Sequence, residues 1–99
     1  MIVVQNSIPV KDEYRDEFEK RFIGRDRSVD KFQGFIRNEI LRPIKGENYI
    51  VMTYWRTMED FKRWTESEEF RKSHSGINDS MFSGKNILTI HEVIDSTGK

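Results

Sequence analysis

The hydrophobic period of this chain changes from two to about 3.6 and back, twice over, and few folds accept that alternation. From Ile2 to Ile8 the residues alternate: Ile2, Val4, Asn6 and Ile8 share one face, and Val3, Gln5 and Ser7 share the other. That pattern reads as a strand, ended by Pro9. From about Asp12 the apolar positions move to helical spacing at Tyr14, Phe18 and Phe22, with Val29 further on and the acids Asp12 and Glu13 at the helix start. Gly24 and Ser28 predict that this helix weakens or restarts before Gly34. Phe35 to Pro43 and Asn48 to Trp55 are rich in aromatic and β-branched residues and pair as a hairpin across Lys45-Gly46-Glu47. Thr57-Met58-Glu59-Asp60 has the form of a helix cap ahead of Phe61, Trp64 and Phe70, and Ser67-Glu68-Glu69 caps a second short helix reaching His74. Ser75 to Gly84 reads as a polar loop in which Met81 and Phe82 look exposed. A last strand runs from Asn86 to Ile94, and the tail after Asp95 is expected to fray.

The order strand, helix, strand, strand, helix, strand predicts an α+β fold of the ferredoxin-like split βαβ type, with helices on one face of an antiparallel sheet. In the third strand both faces are apolar: Tyr49, Val51 and Trp55 oppose Ile50, Met52 and Tyr54. In the last strand Ile87 and Val93 oppose Leu88, Ile90 and Ile94. One chain's helices cover one face, so a second copy is the simplest cover for the other, and a homodimer is expected.

A length of 99 residues with no linker, repeat or low-complexity segment predicts one domain. Seventeen basic residues balance seventeen acidic ones. No net field is left to gather nucleic acid or an anionic membrane, and neither is expected as a partner. The chain has no cysteine, which excludes disulfides, thiolate metal sites and a cysteine nucleophile. The opening Met1-Ile2-Val3-Val4 falls far short of a signal peptide, and no window approaches a membrane span. A soluble cytoplasmic protein is therefore expected.

Chemistry must come from few residues. There is no glycine-rich phosphate loop and no zinc spacing, and the acid and base run from Lys11 to Arg27 reads as a solvated helix face. Of two histidines, His74 closes a helical segment beside a loop, whereas His91 lies inside a strand. A single histidine with open space opposite is what haem needs, since the porphyrin supplies four ligands and the protein one; a satisfied surface or core histidine is the alternative for either residue. Asn6 puts an amide on the face of Ile2, Val4 and Ile8. Such a group is either tied to the backbone or faces a pocket where a ligand completes its hydrogen bonds. Trp64 stands among charged neighbours, with a core role and a cofactor contact as its two readings. Arg21 and Arg25 are within reach of an anionic group such as a haem propionate, with a structural or surface role as the alternative.

The stretch TYWRTMEDFKRWTESEEFRKSH, with Asn6 on the first strand and Arg21-Phe22 on the first helix, resembles the Isd-type haem-degrading monooxygenases of the antibiotic biosynthesis monooxygenase superfamily. The resemblance runs over residues 1 to 94 and is most specific where Asn, Trp and His fall in place together. It implies that residues 1–99 form one such domain, paired in a homodimer whose sheets make an α+β barrel. It implies haem as cofactor and substrate, opened with dioxygen and electrons from an external donor, an unidentified reductase, to release iron. Carried over, His74 is the proximal iron ligand, Asn6 the distal amide, and Trp64 the wall that bends the porphyrin. Arg21 and Phe22 join the cofactor-binding set. On this reading truncating Trp64 should alter the reaction more than the fold. The segment from Ser75 to Asn86 departs from the family pattern. Two rivals use the same cleft: a cofactor-free quinol or polyphenol monooxygenase of the superfamily, and a dimeric module that binds haem without turnover.

Overall fold

The computed structural model describes residues 1–25, 27–73 and 79–98. Four strands, β1 (Ile2–Pro9), β2 (Phe35–Leu41), β3 (Asn48–Trp55) and β4 (Ile87–Glu92), form one antiparallel sheet in the order β2-β3-β1-β4. The helices are α1 (Arg15–Ile23), α2 (Met58–Thr65) and α3 (Glu68–Ser73). This is the ferredoxin-like α+β arrangement that the alternation of periods predicts.

Local chemistry sets the boundaries. A 3-10 turn over Asp12–Tyr14 leads into α1, which ends at Gly24, and a second 3-10 turn over Ser28–Lys31 is the restart expected before Gly34. Thr57 caps α2, its hydroxyl oxygen accepting from the Asp60 N–H at 3.1 Å. Ser67 does the same for α3 with the Phe70 N–H at 3.1 Å. Gly34 has φ +84° and lies so close under α2 that an added Cβ would meet Asp60 Oδ2 at 2.0 Å.

Two apolar clusters hold the helices to the sheet. The first joins Ile8, Val10, Phe18, Tyr49 and Met81, and the second joins Val4, Val29, Trp55 and Trp64. Met81 is 2% exposed, which corrects the reading of it as an exposed loop residue. The loop docks because the Lys11 N–H donates to the Met81 carbonyl at 2.9 Å and the Ser83 N–H to the Pro9 carbonyl at 3.0 Å. Backbone pairing at the end of β1 thus draws a residue from a polar segment into the core.

The strand registers sort the two faces. Ile2, Val4, Asn6, Ile8, Tyr49, Val51 and Trp55 face the helices, whereas Ile50, Met52 and Tyr54 of β3 lie on the other side, partly exposed. On β4, His91 pairs with Val3 and Leu88 with Asn6, so His91 belongs to the face without helices and Leu88 to the face with them. Among the described residues no helix is long and apolar enough to cross a membrane.

Candidate functional site

The two clusters meet the helix side of the sheet at different heights, and Asn6 stands between them. Its neighbours in phase, Val4 and Ile8, belong to the second and first cluster respectively. Its cross-strand partners are Val51 on β3 and Leu88 on β4. The Oδ1 atom of Asn6 is buried and has no hydrogen-bond partner among the described residues. Its oxygen is therefore not tied to the backbone among the described residues. A buried carbonyl oxygen left unpaired costs about 1 to 3 kcal/mol, so a group that pairs with it is stabilised there. Next to it, Leu88 and Ile90 share the helix-side face and remain 56% and 39% exposed. The helix layer therefore leaves an apolar floor uncovered beside a single unpaired amide.

Phe22 on α1 packs against the first cluster, its ring 4.7 Å from that of Phe18. Arg21 is exposed on the same helix. The chain then brings Arg25 back toward α1, where its Nη1 donates to the Phe22 carbonyl and satisfies the helix end. Burial pushes the Arg25 guanidinium pKa below its usual value, the like charge of Arg27 adds to that, and Asp30 opposes it. Arg25, Arg27 and Arg37 line a cavity of about 350 Å³ together with Asn38.

Trp64 is only 8% exposed and belongs to the second cluster. Its indole meets Phe32 edge-on at 5.0 Å, Phe70 edge-on at 5.6 Å and Trp55 in a stacked arrangement at 6.5 Å. Of its two readings, the core one describes how Trp64 packs in this chain. His74 lies outside the described residues. His91 is exposed on the opposite face of the sheet from Asn6.

Two features escape a reading of the sequence. The acid and base run of α1 is not all solvated face, because Glu19 accepts hydrogen bonds from the Tyr49 hydroxyl and from Arg42, with Nε at 2.8 Å. Its partners lie 23 and 30 residues away, beyond any local pattern. The second is Asn38, whose Oδ1 is buried and unpartnered among the described residues, like that of Asn6. Its phase with Ile40 is a signal, obscured by the register shift between Phe35 and Arg37.

The helices thus cover one face of a split βαβ sheet, and on that face the unpaired Asn6 amide lies beside the partly exposed Leu88 and Ile90. Residues 1–76 match the family model described as "Antibiotic biosynthesis monooxygenase", and the chain belongs to that family. It is 34% identical to the mycobilin-producing heme oxygenase of Mycobacterium tuberculosis, over 99% of this chain and 96% of that one. It is 30% identical to the staphylobilin-producing heme oxygenase of Staphylococcus haemolyticus, over 98% and 94%. The heme-degrader MhuD from Mycobacterium tuberculosis, solved with two hemes bound in its active site, superposes with a TM-score of 0.84 at 31% identity, over 99% of this chain and 100% of that one.

Proposed function

We propose that this chain is a haem-degrading monooxygenase, which binds haem and opens its ring with dioxygen and an external reductant to release iron. Asn6 is the observation that carries the reading. A wide apolar macrocycle with a polar centre matches a face on which one unpaired amide is framed by Val4, Ile8, Val51 and Leu88. Relatives similar over nearly the whole chain are named heme oxygenases, which supports the same reading.

When bound, haem supplies the iron at which dioxygen is reduced and the carbon bridge that is oxidised. The chain's own residues do the rest. Asn6 presents its amide on the reacting side of the ring, where hydrogen bonding steers the oxygen. His74 supplies the iron ligand, supported by elimination, since His91 faces away from Asn6. Phe22 lines the cleft with its ring, Arg21 and Arg25 face the carboxylate arms, and Trp64 stiffens one wall from within the core. The charge of the arginines holds the ring's polar edge outward, while the apolar floor excludes water from the other edge.

The protein acts as a homodimer of one-domain chains in the cytoplasm, the second copy lying on the face that carries Ile50, Met52 and Tyr54. The partly exposed apolar residues of that face support the pairing, and the lack of cysteine fits a reducing compartment. The test is to mix the purified protein with hemin and then add ascorbate under air. The reading expects a Soret shift on binding, then decay of the band as iron is released. No shift would favour the cofactor-free monooxygenase, and a stable band the module that binds without turnover.

A further inference from the structure

On the helix side of the sheet a second amide matches the first. Asn38 pairs with Thr53, whose other partner is Val4, and this row lies next to the row Ile40, Val51, Asn6 and Leu88. Asn38 and Asn6 are thus two strands and one row apart, roughly 12 Å from strand spacing and rise. That is farther than the rim of a closed macrocycle centred over Asn6 extends, and within the span of an opened, extended tetrapyrrole. The Asn38 Oδ1 is buried without a partner among the described residues, and Asn38 borders the 350 Å³ cavity that Arg25, Arg27, Asp30 and Arg37 also line.

Starting from the haem-degrading reading above, we propose that Asn38 is a product-selective recognition residue, whose amide oxygen accepts a hydrogen bond from the ring-opened tetrapyrrole and not from haem. The chemistry follows from what each molecule can donate. In haem the four ring nitrogens are bound to iron, and the rim carries methyl, vinyl and carboxylate groups, none of them a donor. A ring-opened tetrapyrrole that has lost its iron exposes N–H groups on its pyrroles and terminal lactams. Haem centred over Asn6 leaves the Asn38 acceptor unpaired; the product pairs it. Arg25 and Arg27 do not discriminate, because both molecules carry the same carboxylate arms, and Arg37 is turned to the other face of the sheet, its guanidinium 5.6 Å from the centre of the Tyr54 ring. The cavity has room for one edge of a tetrapyrrole rather than the whole ring, which suits contact with one end of the opened molecule.

The test titrates the full-length protein and its Asn38→Leu variant with hemin and, separately, with biliverdin, following the Soret band and the long-wavelength bilin band. The expected result is that hemin binds both proteins alike while biliverdin binds the variant about tenfold more weakly, the factor one lost hydrogen bond gives. Asn38→Ala replaces the leucine variant if thermal melting shows that leucine does not fit. Equal weakening for both ligands, or an effect on hemin alone, overturns the role of Asn38. If the unaltered protein binds hemin and biliverdin but the variant does not change their ratio, only the role of Asn38 fails. If the unaltered protein binds neither, the haem-degrading reading fails first.

Discussion

The hydroxyl of Tyr49, fully buried on β3, donates its hydrogen to the carboxylate of Glu19 on α1, and Arg42 closes on the same carboxylate with Nε 2.8 Å from Oε2. One acid thereby ties α1 to the hairpin of β2 and β3. The Arg42 hydrogen bonds, then that of Tyr49, hold the Glu19 carboxyl down at about 2 against an ordinary 4.5, while burial works against them. A carboxyl held below its unfolded value stabilises the fold in full above about pH 4.5, and the contribution fades as pH falls from there toward 2. Glu19→Gln should therefore lower the melting temperature at pH 7 and flatten its dependence on pH between 4.5 and 2. Melts of the two proteins across that range check it; curves that stay parallel would remove Glu19 from the account.

Gly34 offers a prediction about the fold alone. Its φ of +84° is costly for any side chain, and a Cβ there would overlap the Asp60 carboxylate, itself held by Arg63 Nη1 at 3.0 Å. Left-handed strain is worth on the order of 1 to 3 kcal/mol, with overpacking added. Gly34→Ala should lower the melting temperature by about 10 °C or more, since each kcal/mol is worth about 4 to 8 °C in a domain this size. Calorimetry of the variant decides; a shift under two degrees would show that α2 moves aside freely.

Much of this fold is legible in the chain because its elements rest on short-range patterns. The alternation of β1, the span of β3 and the Thr57 cap are each set by residues within a few positions of one another. Asn6 is legible for the same reason, as a polar residue in an apolar phase. What depends on distant partners is not. Glu19 looks like any helix acid until Arg42 and Tyr49 are folded against it, and Met81 looks like a loop residue until the end of β1 pairs with its segment. Asn38 is hidden differently, since the bulge after Phe35 breaks the alternation that would place it. Trp64 was legible as a large ring needing cover, but which cover it finds is set by Phe32 and Phe70 from two other segments.

The two histidines should separate cleanly. His91 is exposed on the sheet face turned away from Asn6, so His91→Ala should leave the hemin complex spectrally unchanged. His74→Ala should lose the imidazole ligand, read from the visible bands and from electron paramagnetic resonance of the ferric complex. The reverse result would move the site to the other face of the sheet.

Asn6 predicts a split between binding and turnover. With the iron held by His74, removing the amide takes away what steers oxygen but not what anchors the ring. Asn6→Ala should bind hemin within a few-fold of the parent protein and degrade it at least ten times more slowly, about the loss of one polar contact at the reacting side. Hemin titration beside the ascorbate assay measures both quantities. Equal decay rates would return Asn6 to structure.

Trp64 now predicts a different outcome from the one the family resemblance implies. Buried to 8% exposure with Phe32, Trp55 and Phe70 around it, the indole fills core volume that no nearby side chain can reclaim. Trp64→Ala should cost roughly 3 to 5 kcal/mol, a large share of the 5 to 15 kcal/mol that holds a typical domain. The apo-protein should melt on the order of 15 °C lower. Trp64→Phe keeps an aromatic edge for Phe32 and Phe70 and should recover most of that loss. A wall role exerted from the core would then be visible in the phenylalanine variant, which folds: an altered Soret band and slower hemin decay at full folding would show that the indole shapes the haem as well as the core. An unchanged band and rate in that variant would leave Trp64 to the core alone, and an alanine variant that melts like the parent would mean that the ring is not core at all.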